Sequence, residues 1–382
     1  MAVPVAEEVV GVHAGESARI DRMTDPGAFR AEFPVFDRLA YLNAGADGPV
    51  PRRAAEAVSA TVAEEAAGGR GLASAFETRK AAAASLRDRY AGLLGCSVDD
   101  VALTHSTTDG VNTVLSGLDL RPGDELLSTA EEHPGLLAPL ATARARTGVE
   151  VRVVPWEELA GAVGPRTRLV ACSHVSWASG KVVDAAALRA AGVSVLLDGA
   201  QGLGAVPVDV GALGCDYYAA AGQKWLCGPD GTGVLYVSPD RRPEVALAWP
   251  SYSSLLEPGR PLELILHPGS ARYEAGFIGA ADAAWALASL DVLGDAGWPW
   301  VLDRAATLAA GLADRLRDRG VDVLDRGPST LVSWRAPDPE AAVEALAGHG
   351  FAVRSIAAYG VVRASVGAWN SEDELERLAA LA

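Results

Sequence analysis

The chain has 382 residues, 49% of them apolar, and a net charge of −16 from 33 Lys and Arg against 49 Asp and Glu. That length and apolar fraction suffice for one large α/β domain with a smaller companion, or two medium domains, and they exclude global disorder. The acidic balance, with no long cluster of Lys and Arg to reverse it, argues against a nucleic-acid partner.

Residues 1–25 are polar and unpatterned and read as a loose arm. They lack the basic start and apolar core of a signal peptide or membrane anchor, and no run approaches a transmembrane span, so a cytoplasmic protein with no membrane partner is expected. The four cysteines, Cys96, Cys172, Cys215 and Cys227, show no CxxC spacing and no ligand pattern with the six histidines. Free thiols and no metal are expected. From Val50 the apolar spacing turns helical, and AFETRKAAAASLRDRYAGLLG (75–95) reads as a helix ended by glycine. Short apolar runs then alternate with helices. Strands are expected in VALTHS (101–106), DELLST (124–129), VEVRVV (149–154), RLVACSHV (168–175), VSVLLDGA (193–200), CDYYAAAG (215–222) and GVLYV (233–237). Helical segments such as PGLLAPLATARARTG (134–148) and DAAALRAAG (184–192) separate several of them. Runs without strict polar alternation predict a sheet buried on both faces, and strand–helix alternation predicts a mostly parallel, doubly wound sheet. This α/β large domain is expected over 26–268. Beyond it, two long helices (279–297 and 299–320) precede short strands in STLVSWRA and VVRASVGAW, and a last helix opens with the capping box Ser371 and Glu374. They predict a smaller C-terminal α+β domain over 269–382.

In open α/β sheets, ligands collect at the carboxyl ends of the strands. Four such ends deliver Asp198, Lys224, the run Ser106-Thr107-Thr108-Asp109 at a helix start, and His133. Each has an ordinary reading alone: a turn residue, a snorkelling side chain, an N-cap, a loop histidine. Lys224, however, follows three alanines at 219–221 and sits beside Trp225, Leu226 and Cys227, so desolvation should lower its pKa. Together the four fit pyridoxal 5′-phosphate (PLP). That cofactor needs a lysine for its aldehyde, a carboxylate to keep its ring nitrogen protonated, a phosphate cradle at a helix N-terminus and a flat side chain over its ring. A nucleotide phosphate loop at GPDGTG is unsupported, because that segment leads into the strand GVLYV and opens no helix.

DGAQ (198–201) followed by QKWLCGPDGTG (223–233) resembles the class V aminotransferase group of fold-type I PLP-dependent enzymes. That group includes cysteine desulfurases, selenocysteine lyases, cystine C–S lyases and isopenicillin-N-epimerase-like proteins. Further blocks follow in family order over most of the chain: YLNAGADGPVP, STTDGVN, EEHPGLLAP, SHVSWASGKVVD, RYEAG and VVRASVGAWNSEDELERL. The resemblance implies the fold-type I PLP-dependent transferase fold, PLP as cofactor, a small amino-acid substrate, and a homodimer with its active site at the interface. By position it makes Lys224 the Schiff-base lysine, Asp198 the partner of the pyridine nitrogen, Gln201 the donor to the phenolic oxygen and His133 the ring that stacks on the cofactor. Lys224, Asp198 and His133 are thus the expected catalytic residues. Thr107, Thr108 and Gln223 are implied for the phosphate and Arg363 for the substrate α-carboxylate, with Asn43 and Trp177 at the substrate.

Four features depart from the family pattern. The segment 354–360 holds no cysteine where one desulfurase branch carries its persulfide-forming thiol. Ala221 and Gln223 stand where many relatives have a phosphate-binding hydroxyl and a histidine. Phe277 and Ile278 follow RYEAG where a threonine often reaches the partner subunit's phosphate. SHVSWASG lacks a common asparagine and has Trp177 and Ala178 instead. The expected function is a C–S β-lyase on a cysteine-derived substrate (S-conjugate, sulfoxide or cystine type) without a persulfide cysteine. A class V aminotransferase and an amino-acid epimerase are the alternatives. A non-catalytic binding protein of the same fold would have shed Lys224, Asp198 or Arg363, and all three are present.

Overall fold

The apolar runs between residues 101 and 237 become one sheet whose polar ends converge on a single edge. In the computed structural model, which describes residues 25–382, β1 (Ala40–Tyr41) is followed by β2 (Val101–Thr104), β3 (Glu125–Thr129), β4 (Glu150–Val154), β5 (Thr167–Ser173), β6 (Val195–Asp198), β7 (Tyr217–Ala221) and β8 (Gly233–Val237). Strands β2 to β8 form a seven-stranded sheet in the order β2-β8-β7-β6-β5-β3-β4. All neighbours from β4 to β7 pair parallel, and β8 alone runs antiparallel, between β2 and β7. The loop 222–232 that joins β7 to β8 holds no crossover helix, so the chain can only turn back on itself. The remaining strands share one direction, and Thr104, Thr129, Ser173, Asp198 and Ala221 therefore end on the same edge.

Burial follows from the uninterrupted apolar runs. β2, β3, β6, β7 and β8 are buried along their whole length, whereas the edge strand β4 is largely open. Alternate side chains feed two cores. Leu127, Leu197 and Tyr218 pack with Leu86 and Tyr90 of the helix Ala73–Leu94. Leu126, Leu196 and Tyr217 pack on the other face with Val111, Val114, Leu136 and Leu140 from the helices Thr107–Gly117 and Pro134–Thr147.

The later strands are β9 (Leu331–Arg335), β10 (Phe351–Ala352), β11 (Arg354–Ile356) and β12 (Val361–Ser365). β11, β12 and β9 form an antiparallel sheet in that order, and β10 pairs parallel with β1. Leu312 and Leu316 of the helix Trp298–Asp318 and Leu375 and Leu378 of the last helix cover Trp334 and Val362. The predicted capping box forms: Glu374 N–H donates to Ser371 Oγ, and Ser371 N–H donates to the Glu374 carboxylate. The arm expected over residues 1–25 falls, but for Asp25, outside the described residues. Among the described residues no helix is long and apolar enough to cross a membrane.

Candidate active site

The converging strand ends enclose a cavity lined by Lys224, Asp198, Gln201, His133, Thr107, Thr108, Gln223, Arg363 and Trp177. The chain has three lysines. Lys80 and Lys181 are ion-paired to glutamates, whereas Lys224 makes no ion pair among the described residues. Desolvation pushes its pKa down to about 8, against the pull of Asp198 and with the help of Arg363 and Arg354. Asp198 ends β6, is buried, and accepts the Ala200 N–H at 2.9 Å through one oxygen, leaving the other open. Burial raises its pKa, and Lys224 opposes the rise. Its neighbour Gly199 cannot be replaced: a Cβ there would lie 2.1 Å from a ring carbon of Tyr218.

Three of the predicted cofactor ligands keep free hydrogen-bonding capacity. Thr107 opens its helix behind the N-cap Ser106, whose Oγ accepts the Asp109 N–H, and the buried Thr107 Oγ1 has no partner. The Thr108 hydroxyl donates to Gly135 C=O at 3.2 Å, leaving its lone pairs. Gln223 Oε1 is buried without a partner. The Gln201 amide is more fully engaged: Nε2 donates to Gly45 C=O at 2.7 Å and Oε1 accepts Trp225 Nε1–H at 2.9 Å, so its second Nε2 proton is what it can offer.

His133 N-caps the helix Pro134–Thr147, its Nδ1 accepting the Gly135 N–H at 2.9 Å. The proton of the neutral ring therefore sits on Nε2. Desolvation first, then Lys224, Arg354 and Arg363, lower its pKa to about 4, so at neutral pH it is an uncharged plane. Trp177 meets it edge-on at 4.8 Å between ring centroids.

Arg363 on β12 is 1% exposed. Its Nη1 donates to Trp177 C=O at 2.7 Å, while Nε and Nη2 are buried without partners. Burial, then Arg354, push its pKa down to about 9. Buried polar groups are nearly always paired, so the unpaired donors at Thr107 and Arg363 define two places for anions. The helix start suits a phosphate and the guanidinium edge suits a carboxylate. With a desolvated lysine and a buried carboxylate between them, this donor set fits PLP.

Asn43 is the predicted residue that does not line the cavity. Its backbone carbonyl accepts the Ala46 and Asp47 N–H groups, at 2.8 and 3.2 Å, and so shapes a turn, while its side-chain Oδ1 is buried without a partner. Two charged lining residues went unread in the sequence. Arg354 lies directly across the β11–β12 pair from Arg363, which puts both guanidinium groups on one face. Asp47 enters because a Cβ at Gly48 would sit 2.1 Å from Lys224 C=O, so only glycine lets the turn pack against the lysine loop. None of the four cysteines lines the cavity: Cys172, Cys215 and Cys227 are buried elsewhere and Cys96 is half-buried. In the segment where a desulfurase thiol would stand, Tyr359 donates to Ala130 C=O at 2.8 Å and meets Trp177 edge-on.

A family model described as aminotransferase class V matches residues 40–378. A probable cysteine desulfurase of Pseudomonas aeruginosa is 31% identical, covering 93% of this chain and 97% of that protein. The isopenicillin N epimerase of Streptomyces clavuligerus is 36% identical over 53% of this chain and 54% of its own length. Among solved structures, the cystine C–S lyase C-DES in complex with its reaction product cysteine persulfide superposes with a TM-score of 0.85 at 29% identity, covering 91% of this chain and 98% of that one.

Proposed function

The chain belongs to the class V aminotransferase family, and from that premise we propose a C–S β-lyase that acts on a cysteine-derived amino acid without a persulfide-forming cysteine. It is an enzyme of the fold-type I class with pyridoxal 5′-phosphate as cofactor. The observation that carries the reaction type is the lining of the cavity: it offers a desolvated lysine and two arginines, and no thiol.

Lys224 would carry the cofactor's aldehyde, Asp198 would face its ring nitrogen, and the plane of His133 would cover its ring. Thr107, Thr108 and Gln223 would hold its phosphate, and the free Nε2 proton of Gln201 would serve its phenolic oxygen. Bound there, the cofactor draws electrons from the substrate Cα, so that the Cα proton and a β-substituent can leave. Arg363 receives the α-carboxylate on Nε and Nη2, because Trp177 C=O already holds Nη1 in place. The Lys224 amine takes the Cα proton; with a pKa near 8 it is a usable base at neutral pH. With a sulfur substituent on Cβ, the C–S bond would break, the sulfur group would leave as a thiol, or as a persulfide from a disulfide, and hydrolysis of the remainder would release pyruvate and ammonia. Arg354, a second cation in the same cavity, suits a substrate with a second anionic group, as in a cystine-type disulfide.

The reading includes a homodimer. Trp249, Tyr252, Leu256, Leu264 and Phe277 are all exposed, and Phe76, Tyr252 and Phe277 form an aromatic cluster at the surface. An apolar patch of that kind fits a subunit interface. The test is to incubate the holoenzyme with L-cystine and S-substituted cysteines. Pyruvate with equimolar ammonia supports the lyase. Amino transfer to a 2-oxo acid, with no pyruvate release, overturns it in favour of an aminotransferase.

A further inference from the structure

Two side chains of opposite charge line the same cavity without partners. Asp47 and Arg354 make no ion pair and no side-chain hydrogen bond among the described residues, although both are exposed enough to recruit one. The Asp47 backbone is held firmly. Its N–H donates to Asn43 C=O, Tyr41 Oη donates to Asp47 C=O at 2.8 Å, and the Gly48 N–H donates to Gln223 C=O at 2.7 Å. The turn is thus clamped to the loop that carries Lys224, and the carboxyl group is presented at a fixed place near the cavity rim. Burial, then the Asp230 carboxylate, raise its pKa, and Lys224 and Arg354 oppose the rise, which puts one acid and two cations in its electrostatic neighbourhood.

An unpartnered carboxylate with a second acid, Asp230, in its neighbourhood is a poor feature for binding a dianion, which it repels. It becomes favourable when the ligand brings its own cation. We propose that Asp47 recognises a free ammonium group on the distal half of the substrate, beside a distal anion at Arg354, so that the site selects bis-amino-acid substrates over those whose far end lacks an amine or carries an acylated one. This inference rests on the assignment of a cysteine-derived substrate to the same cavity. The recognition is a direct ion pair at an exposed rim, so its weight should be moderate: up to about fivefold in affinity.

The test uses binding rather than turnover. Calorimetry on the holoenzyme compares 2,7-diaminosuberate, in which carbons replace the two sulfurs of cystine, with 2-aminosuberate, which lacks the distal amine. Neither can lose a sulfur group, so the readout is independent of lyase chemistry. The wild type should bind the diamino compound about tenfold more tightly, a factor of about two of it statistical because either end can enter, Asp47→Asn should bring the ratio down to about two, and Asp47→Glu should keep much of it. A wild-type ratio of about two or less, or failure to bind either compound, overturns the inference, as does a roughly tenfold ratio that survives Asp47→Asn. A protein that shows the Asp47-dependent ratio yet releases no pyruvate from cystine refutes the lyase reading and leaves the Asp47 assignment standing.

Discussion

Replacing Arg363 by methionine should separate binding from stability. The guanidinium is 1% exposed, makes one hydrogen bond, and keeps Nε and Nη2 buried without partners. It also faces Arg354 directly across the strand pair, where like charges repel. An apolar side chain of similar volume removes the buried charge, a change worth about 1–4 kcal/mol when a buried ion is replaced. It forfeits one charge-assisted hydrogen bond, about 1.5–3 kcal/mol. The two nearly cancel, so the Tm of the apoprotein should stay within about 4 °C of the wild type. The substrate carboxylate, in contrast, loses two charge-assisted bonds, about 3–6 kcal/mol, or a factor on the order of 10² to 10⁴ in kcat/KM. Differential scanning fluorimetry of the apoprotein and steady-state pyruvate release read the two quantities. A Tm lowered by roughly 10 °C with kcat/KM within tenfold of wild type would show that Arg363 is structural, and would refute the reasoning.

Other outcomes follow from the same geometry. Iodoacetamide on the native holoenzyme should modify Cys96 at most, and slowly, because burial and then Asp100 and Asp209 push its thiol up to about 12, and should leave pyruvate release intact, since the other three thiols are buried; inhibition paralleling modification, read by peptide mass mapping, would restore a thiol to the chemistry. Phe277→Asp should shift the enzyme towards monomer in sedimentation velocity, because it charges the exposed aromatic cluster; an unchanged sedimentation coefficient would place the interface elsewhere. Glu132 is buried, accepting the Ser173 N–H at 2.9 Å and the Thr129 hydroxyl at 2.7 Å, and desolvation raises its pKa to about 7. The fold therefore holds a proton that the unfolded chain has released above about 4.3, and this group's contribution to stability falls as pH rises from there to about 7. In urea titrations at pH 5 and pH 8, Glu132→Gln should lose less stability between the two than the wild type; an equal loss would discount the shift.

The fold was readable because its strands are written as uninterrupted apolar runs, and the helices between them carry plain stops at glycine. The direction of β8 was not, since orientation depends on how the loop 222–232 is folded. At the site, Lys224, Asp198, His133 and Thr107 stand at strand ends and helix starts, which sequence marks locally. Arg354 and Asp47 do not. Arg354 reaches the cavity only through its register with Arg363, which the turn 357–360 sets. Asp47 reaches it through a close approach of Gly48 to Lys224 that links chain segments far apart. Asn43 stands one step back from the lining: its neighbours 45–47 line the cavity, its backbone carbonyl shapes the turn, and its Oδ1 is buried without a partner. The engagement of Gln201 by Gly45 and Trp225 is likewise a tertiary fact.

The most direct test is where the cofactor attaches. The holoenzyme should be yellow, and borohydride should bleach it and fix the cofactor to a lysine that peptide mapping can identify. With only Lys80, Lys181 and Lys224 in the chain, the answer has few forms. The label should fall on Lys224, and a Lys224→Ala variant should take none. Label on Lys80 or Lys181, or a protein that stays colourless with added PLP, would contradict the account.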